Sequence, residues 1–261
     1  MGENADSHSS AGGSRLIGRV LPVAVRLWLL SQVEQADDLS LQLEGRDRDI
    51  LTGYLPKVTV SAEQAVYRGI RLGQVQLSAM DIRINLGQVI RGKPLRLLRR
   101  FPVLGKVALT ADDLNASLVS PLLAEGLENF WKSLLRQTPA LVPIVAARYG
   151  QLPLQSDMSF GRSQICLGDQ SLGLSFYPQV PGETAANPII LGTQLTASEN
   201  LLRLESPRWL ETLDDLNNPA KGVLIKPLDG FQWNLGKDVQ LTRLTLSPQQ
   251  LMCQGKLSVN P

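Results

Sequence analysis

Apolar and polar residues alternate over several stretches of the chain, and that alternation predicts strands. In LSLQLEG (39–45), Leu39, Leu41 and Leu43 fall on one side, as a half-buried strand requires. ILTGYLPKVTV (50–60) and IRLGQVQLSAMDIRI (70–84) read as long strands. In the second, Ile70, Leu72, Val75, Leu77, Ile82 and Ile84 supply the apolar side, with a phase slip near Gly73 that predicts a bulge or bend. KVALT (106–110) is a further strand. From Gln151 onward the pattern changes to short β segments: SFGRSQICLG, QSLGLSFYPQV, IILGTQLTASENLLRLESPRWL and FQWNLGKDVQLTRLTL, closing with CQGKLSV. Long strands favour twisted, curved sheets, whose concave side must be filled by helices or a ligand.

Helical periodicity appears in fewer places. RLIGRVLPVAVRLWLLSQV (15–33) predicts an amphipathic helix with Val23, Leu27 and Leu30 on one face, which packs on its own sheet or, less commonly, inserts at a membrane surface, and Trp28 near the edge of that face. Arg19, Arg26 and Pro22 interrupt the run, and about 20 unbroken apolar residues would be needed to span a bilayer. With no small-residue cleavage site after Leu30, neither a signal peptide nor a transmembrane helix is expected. Thr110 and Asp113 form a capping box that starts a second helix, so Asp112 and Asp113 read as helix starters rather than catalytic acids. Ser120-Pro121 starts a third, with Leu123, Leu127, Phe130 and Leu134 on one face and Pro139 beyond its end. The same signal at Ser206-Pro207 predicts a helix over RWLETLDDL, with Glu211, Asp214 and Asp215 solvated. Asp47 and Asp49 belong in a turn. VALTADDLNASL and LTLSPQQLMCQGKLSV echo each other as strand followed by short capped helix.

The polar stretch at 1–14 is expected to be a disordered tail. Residues 15–261 then form one domain, with possible sub-units 15–150 and 151–261, and PGETAANP (181–188) is the expected protease site. The fold class is α+β, a long, curved, mainly antiparallel sheet wrapped around amphipathic helices.

Composition narrows the chemistry. With 43% hydrophobic residues the chain buries a substantial core. The only histidine, His8, lies in the polar tail, which removes most triads and histidine-based metal sites. Cys166 and Cys253 sit far apart without C-x-x-C spacing and read as buried thiols. No G-x-S-x-G elbow or phosphate-binding glycine loop is present. No cofactor, metal or catalytic residue is therefore expected, and the protein reads as a non-enzyme.

The net charge is only +2, yet nine basic residues stand against one acid, Asp81, between Arg68 and Thr110. Within this stretch LGQVIRGKPLRLLRR (86–100) interleaves cations with Val89, Ile90, Leu95, Leu97 and Leu98. That is the composition anionic lipid headgroups attract, at about 1 kcal/mol per basic residue. Nucleic acid is not expected, because no aromatic residue lies among these charges until Phe101.

The segments LWLLSQVE, GYLPKVTVSAEQAVYRGIRL, IRINLGQVIRGKPLRLL, VALTADDLNASLVSPLLAEGL and LLRLESPRWLE are similar to the LmeA-like phospholipid-binding family, its cyanobacterial members above all, over roughly residues 15 to 261. The resemblance implies phospholipid binding at a membrane surface and an elongated sheet about helices, akin to tubular lipid-binding folds. It brings no catalytic residues. Together with the residue reading, it gives Arg91, Lys93, Arg96, Arg99 and Arg100 as expected headgroup ligands. Val23, Leu27, Trp28, Val89, Ile90 and Leu97 are the expected acyl or membrane contacts. The partners are an anionic phospholipid and a membrane surface, and the location is cytoplasmic or peripheral. Two functions follow: phospholipid binding or transfer, and peripheral docking as a scaffold without an internal lipid site.

Overall fold

Where apolar side chains alternate with polar ones, the computed structural model places strands; it describes residues 9–143, 159–179 and 188–261. The helices are α1 (Ser9–Gln32), α2 (Asp47–Leu51), α3 (Leu86–Val89), α4 (Ala111–Ser117) and α5 (Pro121–Gln137). The strands are β1 (Gln35–Glu44), β2 (Tyr54–Tyr67), β3 (Ile70–Arg83), β4 (Phe101–Thr110), β5 (Ser159–Leu167), β6 (Ser171–Gln179), β7 (Ile189–Ser198), β8 (Leu201–Trp209), β9 (Val223–Leu224), β10 (Gln232–Asn234), β11 (Val239–Leu246) and β12 (Gln250–Val259). They form two open sheets rather than one. The first runs in the order β1-β2-β3-β4-β12-β11, the second β10-β8-β7-β6-β5 with β9 beside β8. Pairing is mainly antiparallel.

By contact the chain divides into two compact units. One comprises Met1–Tyr67, Gln74–Lys106 and Lys256–Pro261, the other Arg68–Gly73 and Val107–Gly255. In the first, Leu55, Val58, Val60, Ala79, Ile82, Ile84 and Val103 of the sheet and its margins bury against Leu21 and Val25 of α1. β1 contributes Leu39, Leu41 and Leu43 to the margin of that core, the alternation expected of a half-buried strand. The second unit is built on Ile165, Leu174, Phe176, Ile189, Leu191, Leu204 and Trp209, closed by Leu134 of α5, with Leu127 and Phe130 packed alongside.

Several local expectations hold. Thr110 Oγ1 accepts from Asp113 N at 3.1 Å and the Asp113 carboxylate accepts from Thr110 N at 2.9 Å, the reciprocal box that starts α4. Ser120 Oγ caps α5 at Leu123 N with Pro121 at the first position. β2 extends to Tyr67 and turns into β3 through Arg68 and Gly69, both at positive φ, the backbone a two-residue hairpin favours. In β3 the positive-φ residue is Asp81 (φ 58°), after which burial shifts phase to Ile82 and Ile84; the sequence predicts the bulge or bend near Gly73, eight residues earlier.

Three expectations fail. Ser206-Pro207 starts no helix but lies within β8. Ser206 takes φ 49° and donates its N–H to Asp229 Oδ1 at 2.9 Å, while the Pro207 carbonyl accepts from Ile225 N at 2.7 Å. The burial of Leu204, Pro207 and Trp209 within the strand outweighs the local cap signal. Likewise Ser247-Pro248-Gln249 is a hairpin turn from β11 to β12, closed by Ser247 N to Gln250 O at 3.0 Å, so the echo with 107–118 is no repeat. The turn expected at Asp47–Asp49 is the helical α2. Of the expected tail, residues 1–8 lie outside the described residues and 9–14 belong to α1. Most of the expected 181–188 protease site also lies outside them.

Cys166 and Cys253 are free thiols. Burial pushes both upward in pKa, Cys166 with help from the Asp214 carboxylate. Because the folded values lie above the unfolded ones, the stabilisation is complete below about pH 8.5 and is lost as pH rises past it. Denaturant midpoints are expected to fall above that pH in the wild type and to fall less in Cys166→Ser/Cys253→Ser.

Candidate functional site

The basic segment after β3 is folded as a pinned loop rather than a solvated run. Three apolar side chains, Leu86, Val89 and Leu95, are buried in the first unit's core. Ile84 bridges antiparallel to Leu97, and Leu98 N donates to Arg83 O at 2.8 Å. Inside the loop Asn85 acts as a clip. Its Oδ1 accepts from Arg96 N at 2.7 Å, and its Nδ2 donates to Pro94 O and to Gln88 Oε1, both at 3.0 Å. Lys93 N donates to Gln88 O at 3.0 Å and Gly92 N to Val89 O at 2.9 Å. Gly53 backs the loop: its φ is 77°, its carbonyl accepts from Ile84 N at 2.9 Å, and a Cβ there would lie 2.5 Å from Ile84 O.

On this frame Arg91, Lys93, Arg96, Arg99 and Arg100 are all exposed. Among the described residues, Arg91, Lys93, Arg96 and Arg99 form no ion pair. Asp81, the single acid of the basic stretch, forms no ion pair with them among the described residues; it accepts a 2.5 Å hydrogen bond from the Tyr54 hydroxyl. That bond raises the Tyr54 pKa. The Arg83 guanidinium lies 4.3 Å from the centre of the same ring. Two large apolar side chains stand out among the cations, Ile90 at 54% exposure and Leu98 at 56%. Val89 is core, not surface, and Leu97 is half-buried against that core. Of the three loop residues expected to touch lipid, Ile90 alone is exposed. Leu98 was not among them, and only the Ile84–Leu97 bridge, invisible in sequence, sets which neighbour turns outward.

Replacing Asn85 by Ala removes three side-chain hydrogen bonds, each worth about 1 kcal/mol net. The melting temperature is expected to fall by several degrees while the fold persists. Amide hydrogen exchange over 86–98 should accelerate, and unchanged exchange would mean that Asn85 does not hold the loop.

The helix α1 has two apolar stripes. Leu21, at 1% exposure, and Val25 are buried, with Ala24, Trp28 and Leu29 packed at the margin. Val23, Leu27 (62% exposed) and Leu30 point outward together with Arg26. The expected packing face is therefore the exposed one. Both stripes repeat at i, i+4 and i+7, so periodicity could not choose between them. Of the three α1 residues expected to contact lipid, Val23 and Leu27 are exposed, while Trp28 is half-buried against the first unit's core.

Among the described residues no helix is long and apolar enough to cross a membrane, and no group of three or more His, Cys, Asp or Glu residues could hold a metal ion. Asp112 and Asp113 begin α4, as their positions beside Thr110 predict. The model of one protein family, described as LmeA-like phospholipid-binding, matches residues 12–256. No curated protein and no solved structure matches the chain.

Proposed function

The chain belongs to the LmeA-like phospholipid-binding family, and from that premise we propose that it is a non-catalytic phospholipid-binding protein that works peripherally at an anionic membrane surface. The observation that carries this reading is the pinned loop, which holds exposed cations around Ile90 and Leu98 on a frame fixed by Asn85 and three buried anchors. Fixing the loop in advance lowers the ordering entropy that binding would otherwise cost. Arg91, Lys93, Arg96, Arg99 and Arg100 meet lipid phosphates as charge-assisted donors. Ile90, Leu98 and the outward face of α1 enter the interfacial region, where burial stabilises by about 25 cal/mol per Å² of apolar surface. Lipid transfer is an extension of this reading.

Sedimentation with vesicles tests it. Binding is expected to anionic vesicles, to weaken steeply with added salt, and to be much weaker on zwitterionic ones. Equal binding to both would remove the headgroup role of the loop. The outward stripe of α1 also favours a second reading, docking alone without an internal lipid site. A protein of that kind sediments with anionic vesicles yet extracts no lipid from them.

A further inference from the structure

A recess lies wholly within the second unit, away in sequence from the basic loop. It is an open recess of about 670 Å³ between α5 and β10, within the size range of small-ligand pockets. From α5 come Asn129, Ser133, Arg136 and Gln137, spaced i, i+4, i+7 and i+8 on one stripe of the helix. Gln232, Trp233 and Asn234 of β10 and Leu201 of β8 complete it. Of the eight lining residues four carry carboxamides, one a hydroxyl, one a guanidinium, and none a carboxylate.

This lining is selective by its chemistry. A metal ion or an organic cation finds no anionic ligand, and a multiply charged anion finds one cation. A polyhydroxylated ligand fits: each of its hydroxyls both donates and accepts, and a carboxamide offers one group of each kind. Two of the amides are already set in place. Asn234 Oδ1 accepts from Asn200 Nδ2 at 3.0 Å and from Gly236 N at 2.7 Å, which leaves its NH2 to donate into the recess. Gln137 Nε2 donates to Ser133 Oγ at 2.7 Å, which leaves its carbonyl to accept. Trp233 is half-buried and held edge-on by Phe130, with ring centres 5.3 Å apart. It is thus a rigid apolar wall beside the polar groups, as the C–H face of a sugar ring requires.

We infer that this recess binds a saccharide, either free or as the headgroup of a glycolipid, and that Arg136 receives one anionic substituent on it. The inference does not rest on the phospholipid reading. It is tested by following the Trp233 indole N–H, assigned with Trp233→Phe, in 15N-labelled full-length protein titrated with maltose, cellobiose, lactose, glucose and glucose 6-phosphate. A saturable shift with at least one soluble saccharide supports a free-sugar site. A shift with nanodiscs containing a glucosyl-diacylglycerol, absent with plain nanodiscs, supports the headgroup source. Asn129→Ala/Gln232→Ala, both on exposed positions, should weaken the bound sugar at least about tenfold. Glucose 6-phosphate should bind about tenfold tighter than glucose, and Arg136→Gln should erase that difference. No shift with any of these probes, or an affinity unchanged in the double variant, overturns the inference. The loop variant Arg91→Glu/Arg96→Glu/Arg99→Glu should bind the sugar normally, so failure of the membrane reading and failure of this one are separable.

Discussion

Reversing three charges on the pinned loop, Arg91→Glu/Arg96→Glu/Arg99→Glu, is expected to lower affinity for anionic vesicles by more than about 100-fold. Each basic side chain near such a surface contributes about 1 kcal/mol, so three losses alone give about 3 kcal/mol, and the introduced carboxylates add repulsion. Stability should barely change. The three residues are exposed and, among the described residues, form no ion pair, which places each substitution within about 0.5 kcal/mol. The measurement is paired: vesicle sedimentation and thermal unfolding on the same preparation. Lost binding with an unchanged melting temperature locates the headgroup contact on the loop. Binding that survives would move that contact elsewhere.

The second large effect separates the two faces of α1. Leu21→Ala removes a side chain buried in the first unit's core and is expected to cost about 2–5 kcal/mol, enough to lower the melting temperature by many degrees. Leu27→Ala, on the exposed stripe, should leave stability within about 0.5 kcal/mol. Leu27→Asp should reduce vesicle binding, since it places a carboxylate where an apolar side chain enters an anionic surface. Unfolding by chemical denaturant gives the first two values directly. A destabilising Leu27→Ala would mean that the outward face is packed in solution.

Much of the fold was legible because its signals are short-range. The Thr110–Asp113 box, the Ser120-Pro121 start and the alternation of Leu39, Leu41 and Leu43 each act within a few residues, and each forms as the sequence predicts. The failures share one cause. At Ser206-Pro207 a local helix signal met a strand whose Leu204 and Trp209 are needed in the core, and tertiary burial won. At Ser247 the same local signal met the pairing of β11 with β12. In the candidate site the exposed cations were readable from charge density alone. Which apolar neighbours face solvent was not, because Val89 and Ile90 differ by one helical step, and only the anchoring of Leu86 and Leu95 decides between them. Asn85 carries no sequence signal of its role, since its partners Arg96 and Pro94 lie about ten residues on.

The most direct test of the central claim is the lipid content of the protein itself. Lipid-free protein is mixed with anionic vesicles, separated from them, extracted with organic solvent and analysed by mass spectrometry. A phospholipid-binding protein is expected to carry phospholipid in near-stoichiometric amount. Protein recovered without phospholipid, and failing to sediment with the vesicles, would contradict the account.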